Sequence, residues 1–215
     1  MVLDLAVVLL AYLLGSLLFG VILSKRLKGV DIRDMDNPGG SGSIRKFGWR
    51  FGVTVGVLDA LKGVAVAFIA HTLVDDPAVV LLSAMAVVAG HNWPIYFSFR
   101  GGGGLAPAFG VIIYHFPLEF AAGLVPALLL LAVYKRTPLR RWLPFVGPAP
   151  VVSVLGLLTV WSLVWHRHGF YPDSALILAM GVPIALGGYC MMLRDKRRKD
   201  NTKPRTTQDH SPSAK

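Results

Sequence analysis

Seven apolar runs, each separated from the next by a short polar, glycine- or proline-bearing connection, dominate the chain and restrict what it can become. They fall at roughly Leu3–Leu23, Gly52–Leu73, Ala78–Phe97, Leu105–Phe116, Leu118–Tyr134, Trp142–Trp165 and Ser174–Leu193. A bilayer core of ~30 Å takes about 20 apolar residues at ~1.5 Å rise, and most of these runs have that length. In lipid the backbone must satisfy its own hydrogen bonds, so such runs are expected to be helices. With 54% hydrophobic and only 16% charged residues, the chain does not suit an ordinary soluble domain. The first run has no basic flank before it and no small-residue cleavage signature after it, so it reads as a retained helix.

Charge in the connections supplies orientation. All but Lys62 and Arg167 of the 22 Lys and Arg lie in alternate connections or in the tail after Leu193. Because cytoplasmic segments collect Lys and Arg, this alternation predicts seven crossings, the N-terminus outside and the C-terminus in the cytoplasm. The expected organisation is one all-α membrane domain over 1–193 and a basic tail over 194–215, with disorder from about Asn201. The net charge of +10 sits in these blocks, which favours a membrane surface over nucleic acid. The single cysteine, Cys190, excludes an intramolecular disulfide.

The residues that could carry chemistry gather on the side expected to be cytoplasmic. The first connection holds Asp36-Asn37-Pro38-Gly39-Gly40-Ser41-Gly42-Ser43, followed by Arg45, a turn-rich run whose amides could form a nest for an anion. Asp59 and Lys62 stand three residues apart on one helix face inside an apolar stretch, where an unpaired charge costs several kcal/mol, so they are expected to pair or to line a site. Gly90-His91-Asn92-Trp93-Pro94 leads through Arg100 to Gly101, Gly102, Gly103 and Gly104, immediately before another helix. Glycines at a helix N-terminus present free amides and the positive dipole end to a phosphate, and Arg100 could add a bidentate contact. The remaining histidines are scattered, so neither a zinc site nor a metal cofactor is expected, and no Ser-His-Asp triad can be read.

These motifs resemble those of the bacterial acyl-phosphate:glycerol-3-phosphate acyltransferases (PlsY-like), over roughly residues 11–134. Leu13-Leu14-Gly15-Ser16 with Gly20, Asp31-Ile32-Arg33, Asn37-Pro38-Gly39 with Arg45, Asp59-x-x-Lys62-Gly63, and Gly90-His91-x-x-Pro94 with the glycine run follow that family's order and spacing. The resemblance implies a seven-helix enzyme of the bacterial inner membrane and of phospholipid synthesis. Its substrates would be glycerol 3-phosphate and an acyl phosphate, its product lysophosphatidate, with no cofactor. It implies His91, Lys62 and Arg45 as catalytic groups. Asn37, Gly39, Ser41, Arg45, Asp59, Lys62, Arg100 and Gly101–Gly104 would hold the substrates and their phosphates. Two departures stand out: Gly103 replaces a lysine of the family's glycine run, and Cys190-Met191-Met192-Leu193-Arg194 replaces a segment with His and Asn. A non-catalytic lipid- or phosphate-binding relative is therefore the alternative. A small transporter is less consistent, because the charges sit at one end and not at mid-membrane.

Overall fold

The computed structural model describes residues 1–136 and 148–202. Among these every regular element is helical: α1 (Val2–Gly15), α2 (Phe19–Lys28), α3 (Gly40–Phe47), α4 (Trp49–Leu73), α5 (Pro77–Asn92), α6 (Leu105–His115), α7 (Pro117–Arg136), α8 (Pro148–His168) and α9 (Ala175–Thr202), with short 3-10 or π turns at Ile32–Asp34, Ile95–Phe97 and Phe170–Ser174. Leu9, Val57, Leu61, Phe68, Leu129 and Leu186 point outward and are all more than half exposed, as expected for helices solvated by lipid.

The first apolar run is not one helix. It breaks at Ser16-Leu17-Leu18, where Leu18 is extended (φ −90°, ψ 95°). Ser16 folds back, its hydroxyl donating to the Tyr12 carbonyl at 2.9 Å. An uninterrupted helix would pair the Leu17 carbonyl with the Val21 amide, which instead reaches Leu18 at 3.1 Å. Hydropathy stays high across the break, so a reading by apolar run length passes over it; the signal is the Gly15-Ser16 pair.

Four segments are long and apolar enough to cross a membrane among the described residues: Val2–Lys28, Trp49–Leu73, Pro77–Phe97 and Phe170–Arg194. The expectation of seven crossings, with a short fourth, is therefore met only in part. The 11 residues of α6 extend about 16 Å, half a bilayer core, and the described apolar part of α7 ends at Val133. Residues 142–147 of the sixth expected run lie outside the described residues. The last helix continues to Thr202 and does not stop near Leu193, so the basic start of the expected tail is helical; 203–215 lie outside the described residues.

Close approach of small residues sets the packing. A Cβ on Gly15 would overlap the Val87 carbonyl, and one on Gly90 the Tyr12 carbonyl, so α1 and α5 touch backbone to backbone. Gly63 and Gly110 do the same for α4 and α6, against the carbonyls of Pro107 and Ala60. In lipid, where apolar burial gives little drive between helices, such contact supplies the dispersion that holds them. The main core joins Ala11, Val66, Val87, Ile112, Val164 and Met180 from six different helices. At the end of the bundle away from the first connection, Glu119 at the start of α7 takes Arg167 of α8 at 2.8 Å. Because the α1–α5 seam admits no side chain, Gly15→Leu should lower unfolding stability by roughly 3 kcal/mol in a denaturant titration of the detergent-solubilised protein, whereas Leu9→Ala on the lipid face should change it little.

Candidate functional site

A buried charge cluster lies where α1, α4 and α5 meet. Asp59 and Lys62 share one face of α4 and both are buried, Asp59 completely. The Lys62 ammonium lies 3.0 Å from Asp59 Oδ1. It donates to the carbonyls of Gly15 and Leu17, both at 2.8 Å, which are acceptors left open by the α1–α2 break. It also meets His91 Nδ1 at 2.9 Å. An ammonium only donates, so Nδ1 accepts and the imidazole proton stands on Nε2. That Nε2 faces Gly102, where a Cβ would collide with it.

The structure thus brings together four residues singled out in the sequence: Asp59, Lys62, His91 and Gly102. It gives Lys62 a different environment from the phosphate contact expected of it, because protein acceptors already surround its ammonium. His91, with Nδ1 occupied, presents a donor to the glycine connection and not a free base.

The glycine connection divides in two. Gly101 and Gly102 donate their amides to the carbonyls of Asn92 and His91, both at 3.1 Å, so these two amides are not open to an anion as expected. Gly103 and Gly104 make no such backbone bond among the described residues, and they lead into the first turn of α6, whose amides have no intrahelical acceptor. Gly104 (φ 78°) adopts the left-handed conformation that lets the chain enter α6. Pro107, in the first turn, removes a donor that would be unpaired anyway.

The first connection is more ordered than its turn residues suggest. Asp31 accepts the Arg33 amide at 3.0 Å and the Arg33 guanidinium at 2.6–3.2 Å, while Arg33 Nη1 donates to the Phe97 carbonyl at 2.7 Å and fastens this connection to the one before α6. Hydrogen bonds from Arg33 hold the Asp31 carboxyl well below the usual carboxylate range, outweighing the opposite effect of its partial burial. Asn37 Oδ1 accepts the Gly39 amide at 3.2 Å, a local turn that opens the amphipathic helix α3. Ser41 and Arg45 are therefore on a helix and exposed, not in a loop. Arg45 reaches back to Asp36, with Nη2 to Oδ1 at 2.6 Å and Nε to Oδ2 at 3.0 Å. Burial raises the Asp36 pKa, but the bonds from Arg45 and the Asn37 amide, with the charges of Arg45 and Lys46, more than offset it and keep the carboxyl below its ordinary value. Close backbone contact between Gly20 of α2 and Pro38 sets this connection beside the α1–α2 break.

Arg100 does not join the Lys62 cluster. It follows Ser98 and Phe99, both with positive φ (54° and 57°), a costly conformation for a phenylalanine. With Trp93, Phe99, Cys190 and Leu193 it lines a cavity of about 260 Å³ that also receives Arg194 and Arg197 of α9. Those two arginines were passed over in the sequence because they stand among many basic residues of the tail and nearly a hundred positions from Arg100. The last helix also reaches the glycine connection directly: Arg194 Nη2 donates to the Gly101 carbonyl at 3.1 Å, and Asn92 Nδ2 donates to the Pro183 carbonyl at 2.6 Å. Among the described residues no group of three or more His, Cys, Asp or Glu could hold a metal ion.

Comparison with known proteins agrees in extent and in kind. The family model described as glycerol-3-phosphate acyltransferase matches residues 5–189. A Deinococcus radiodurans protein named glycerol-3-phosphate acyltransferase 2 is 42% identical over 188 residues, covering 84% of this chain and 93% of that protein. The Shouchella clausii glycerol-3-phosphate acyltransferase is 38% identical over 180 residues, covering 75% and 88%. Two crystal structures of PlsY, described as an integral membrane glycerol 3-phosphate acyltransferase, are each 30% identical to this chain. The glycerol 3-phosphate form superposes with a TM-score of 0.66 and covers 92% of both chains. The lysophosphatidic acid form gives 0.65 and covers 93% of this chain and 92% of that one. With the family model matching residues 5–189 and relatives above 30% identity covering 75–84% of its length, this chain belongs to the glycerol-3-phosphate acyltransferase family.

Proposed function

We propose that this protein transfers an acyl group from an acyl phosphate to the primary hydroxyl of glycerol 3-phosphate, forming lysophosphatidate for phospholipid synthesis. The carbonyl–oxygen–phosphorus bridge of the donor breaks at carbon, the glycerol oxygen forms the new ester, and the hydroxyl proton leaves with the released phosphate. The observation that carries this reading is the contact of His91 with the glycine connection, held from behind by Lys62.

Two anionic substrates and a carbonyl oxygen that gains charge all need donors fixed in advance. His91 Nε2–H, which faces Gly102, and the amides of Gly103 and Gly104 that follow it are such donors. Lys62 is assigned a positioning role: it fixes the His91 tautomer and the α1–α2 break. Asp59 balances its charge. Arg45, half released into solvent and held by Asp36, is assigned to the phosphate of glycerol 3-phosphate, with Asn37, Gly39 and Ser41 beside it at the start of α3. Arg100 is assigned to the donor.

Seven crossings are also proposed, with α6 as a short one, the N-terminus outside and α9 ending in the cytoplasm of a bacterial inner membrane. The distribution of Lys and Arg among the connections supports this orientation.

Incubating the purified protein with palmitoyl phosphate and glycerol 3-phosphate should release lysophosphatidate and phosphate in equal amounts; absence of product would reject the activity. Arg45→Ala should raise the KM for glycerol 3-phosphate by about tenfold or more, the loss of a charge-assisted bond, with a smaller change for the donor. His91→Ala should lower kcat by about 10²–10³, the cost of removing a donor from a charge-stabilising site, while the KM for glycerol 3-phosphate moves little.

A further inference from the structure

One face of α9 joins two cavities of opposite character. Val182, Pro183 and Leu186 line an apolar groove of about 510 Å³ against α1 and α5, where Leu9, Tyr12 and Ala86 face them. One turn further along the same helix, Cys190, Leu193, Arg194 and Arg197 line the arginine cavity of about 260 Å³. These α9 positions recur every three to four residues and so form one continuous stripe. Trp93, just past the end of α5, lines both cavities. Its carbonyl is tied to α1 by the Tyr12 hydroxyl at 2.6 Å, which fixes the junction.

An apolar groove that ends on three guanidinium-bearing residues is complementary to a single alkyl chain with an anionic head. Planar guanidinium groups match phosphate oxygens, and a chain in the groove would stay in contact with lipid. We infer that Arg100, Arg194 and Arg197 hold the phosphate of the acyl donor while its chain lies in the groove between α1, α5 and α9, a conclusion that rests on the activity proposed above. The choice of donor over product follows from where the head begins. In an acyl phosphate the phosphate is bonded directly to the last carbon of the chain, as the cavities meet directly at Trp93; lysophosphatidate places three further carbons between them. The same geometry sets the donor's carbonyl at Trp93, beside Gly101, whose carbonyl Arg194 holds at 3.1 Å. Arg194 and Arg197 thereby supply positive charge along the stretch from Cys190 to Arg197, which has neither His nor Asn, and beside a glycine run that lacks a lysine.

Two measurements on the full-length protein in detergent or nanodiscs decide the matter. In steady-state kinetics Arg194→Ala and Arg197→Ala should each raise the KM for palmitoyl phosphate about tenfold, as expected for loss of a charge-assisted contact. The KM for glycerol 3-phosphate should hold, and lysine at either position should restore part of the loss. An unchanged donor KM in the double variant, or an equal rise for both substrates, would overturn the inference even with wild-type activity intact. The second measurement needs no turnover and so separates this inference from the activity: Cys190, the single cysteine, lines the arginine cavity and can be labelled with a maleimide. Dodecyl phosphate should slow labelling strongly, while inorganic phosphate and glycerol 3-phosphate should not. Absence of protection by dodecyl phosphate would overturn the site. Equal protection by lysophosphatidate or by a two-chain phosphatidate would overturn its assignment to the donor.

Discussion

The ammonium of Lys62 is the joint on which the bundle's functional end depends. Four protein atoms from three helices converge on it within 3.0 Å: two carbonyls at the α1–α2 break, a carboxylate one turn earlier on α4, and the imidazole at the end of α5. Two of these acceptors exist only because α1 is interrupted, and an interrupted helix in an apolar setting is tolerable only where its open carbonyls find a donor. Conversely, a buried ammonium is tolerable only where acceptors enclose it, since an uncompensated buried charge costs about 3–5 kcal/mol. Break and lysine therefore require one another. The seams of Gly15 on Val87 and Gly90 on Tyr12 bring the helices near enough for one short ion to reach all of them.

From that joint the chemistry extends outward by consecutive contacts. Lys62 decides which imidazole nitrogen of His91 carries the proton; His91 then faces Gly102; Gly101, one residue earlier, is held by Arg194 of the last helix. The glycine connection is thus gripped on successive residues from the core and from α9, which leaves the amides of Gly103 and Gly104 in fixed positions at the start of α6. The first connection reaches this region by a separate tie, Arg33 to the Phe97 carbonyl, and holds Arg45 by way of Asp36. Two independently anchored sets of cations suit a reaction that must hold two phosphates without letting them exchange places.

Much of this was legible in the residues. Asp59 and Lys62, three apart in an apolar run, announced a buried pair, and the apolar runs announced helices. The glycine run was recognisable as a special approach to α6. What escaped has a common physical cause: periodicity and hydropathy record burial, not the partner a polar atom finds. Leu17 and Leu18 are as apolar as their neighbours, so nothing in hydropathy marks the break whose carbonyls Lys62 takes. Asn37 through Ser43 have turn composition, yet once Asn37 takes the Gly39 amide in a local turn the rest closes into α3, placing Ser41 and Arg45 on a helix. Gly101 and Gly102 look as open as Gly103 and Gly104, and only the fold reveals that carbonyls of His91 and Asn92 occupy their amides. Arg194 and Arg197 read as more of a basic tail, because their meeting with Arg100 is a long-range consequence of α9 crossing α5.

The most direct test of this account is a double-mutant cycle at Asp59 and Lys62, read as unfolding free energy in a denaturant titration. Lys62→Met should cost about 3–5 kcal/mol by stranding the Asp59 carboxylate, and adding Asp59→Asn should recover part of that loss. Recovery should be incomplete, because the Gly15 and Leu17 carbonyls still lack their donor. A Lys62→Met protein as stable as the parent, with the two substitutions simply additive, would contradict the central role assigned to this ammonium.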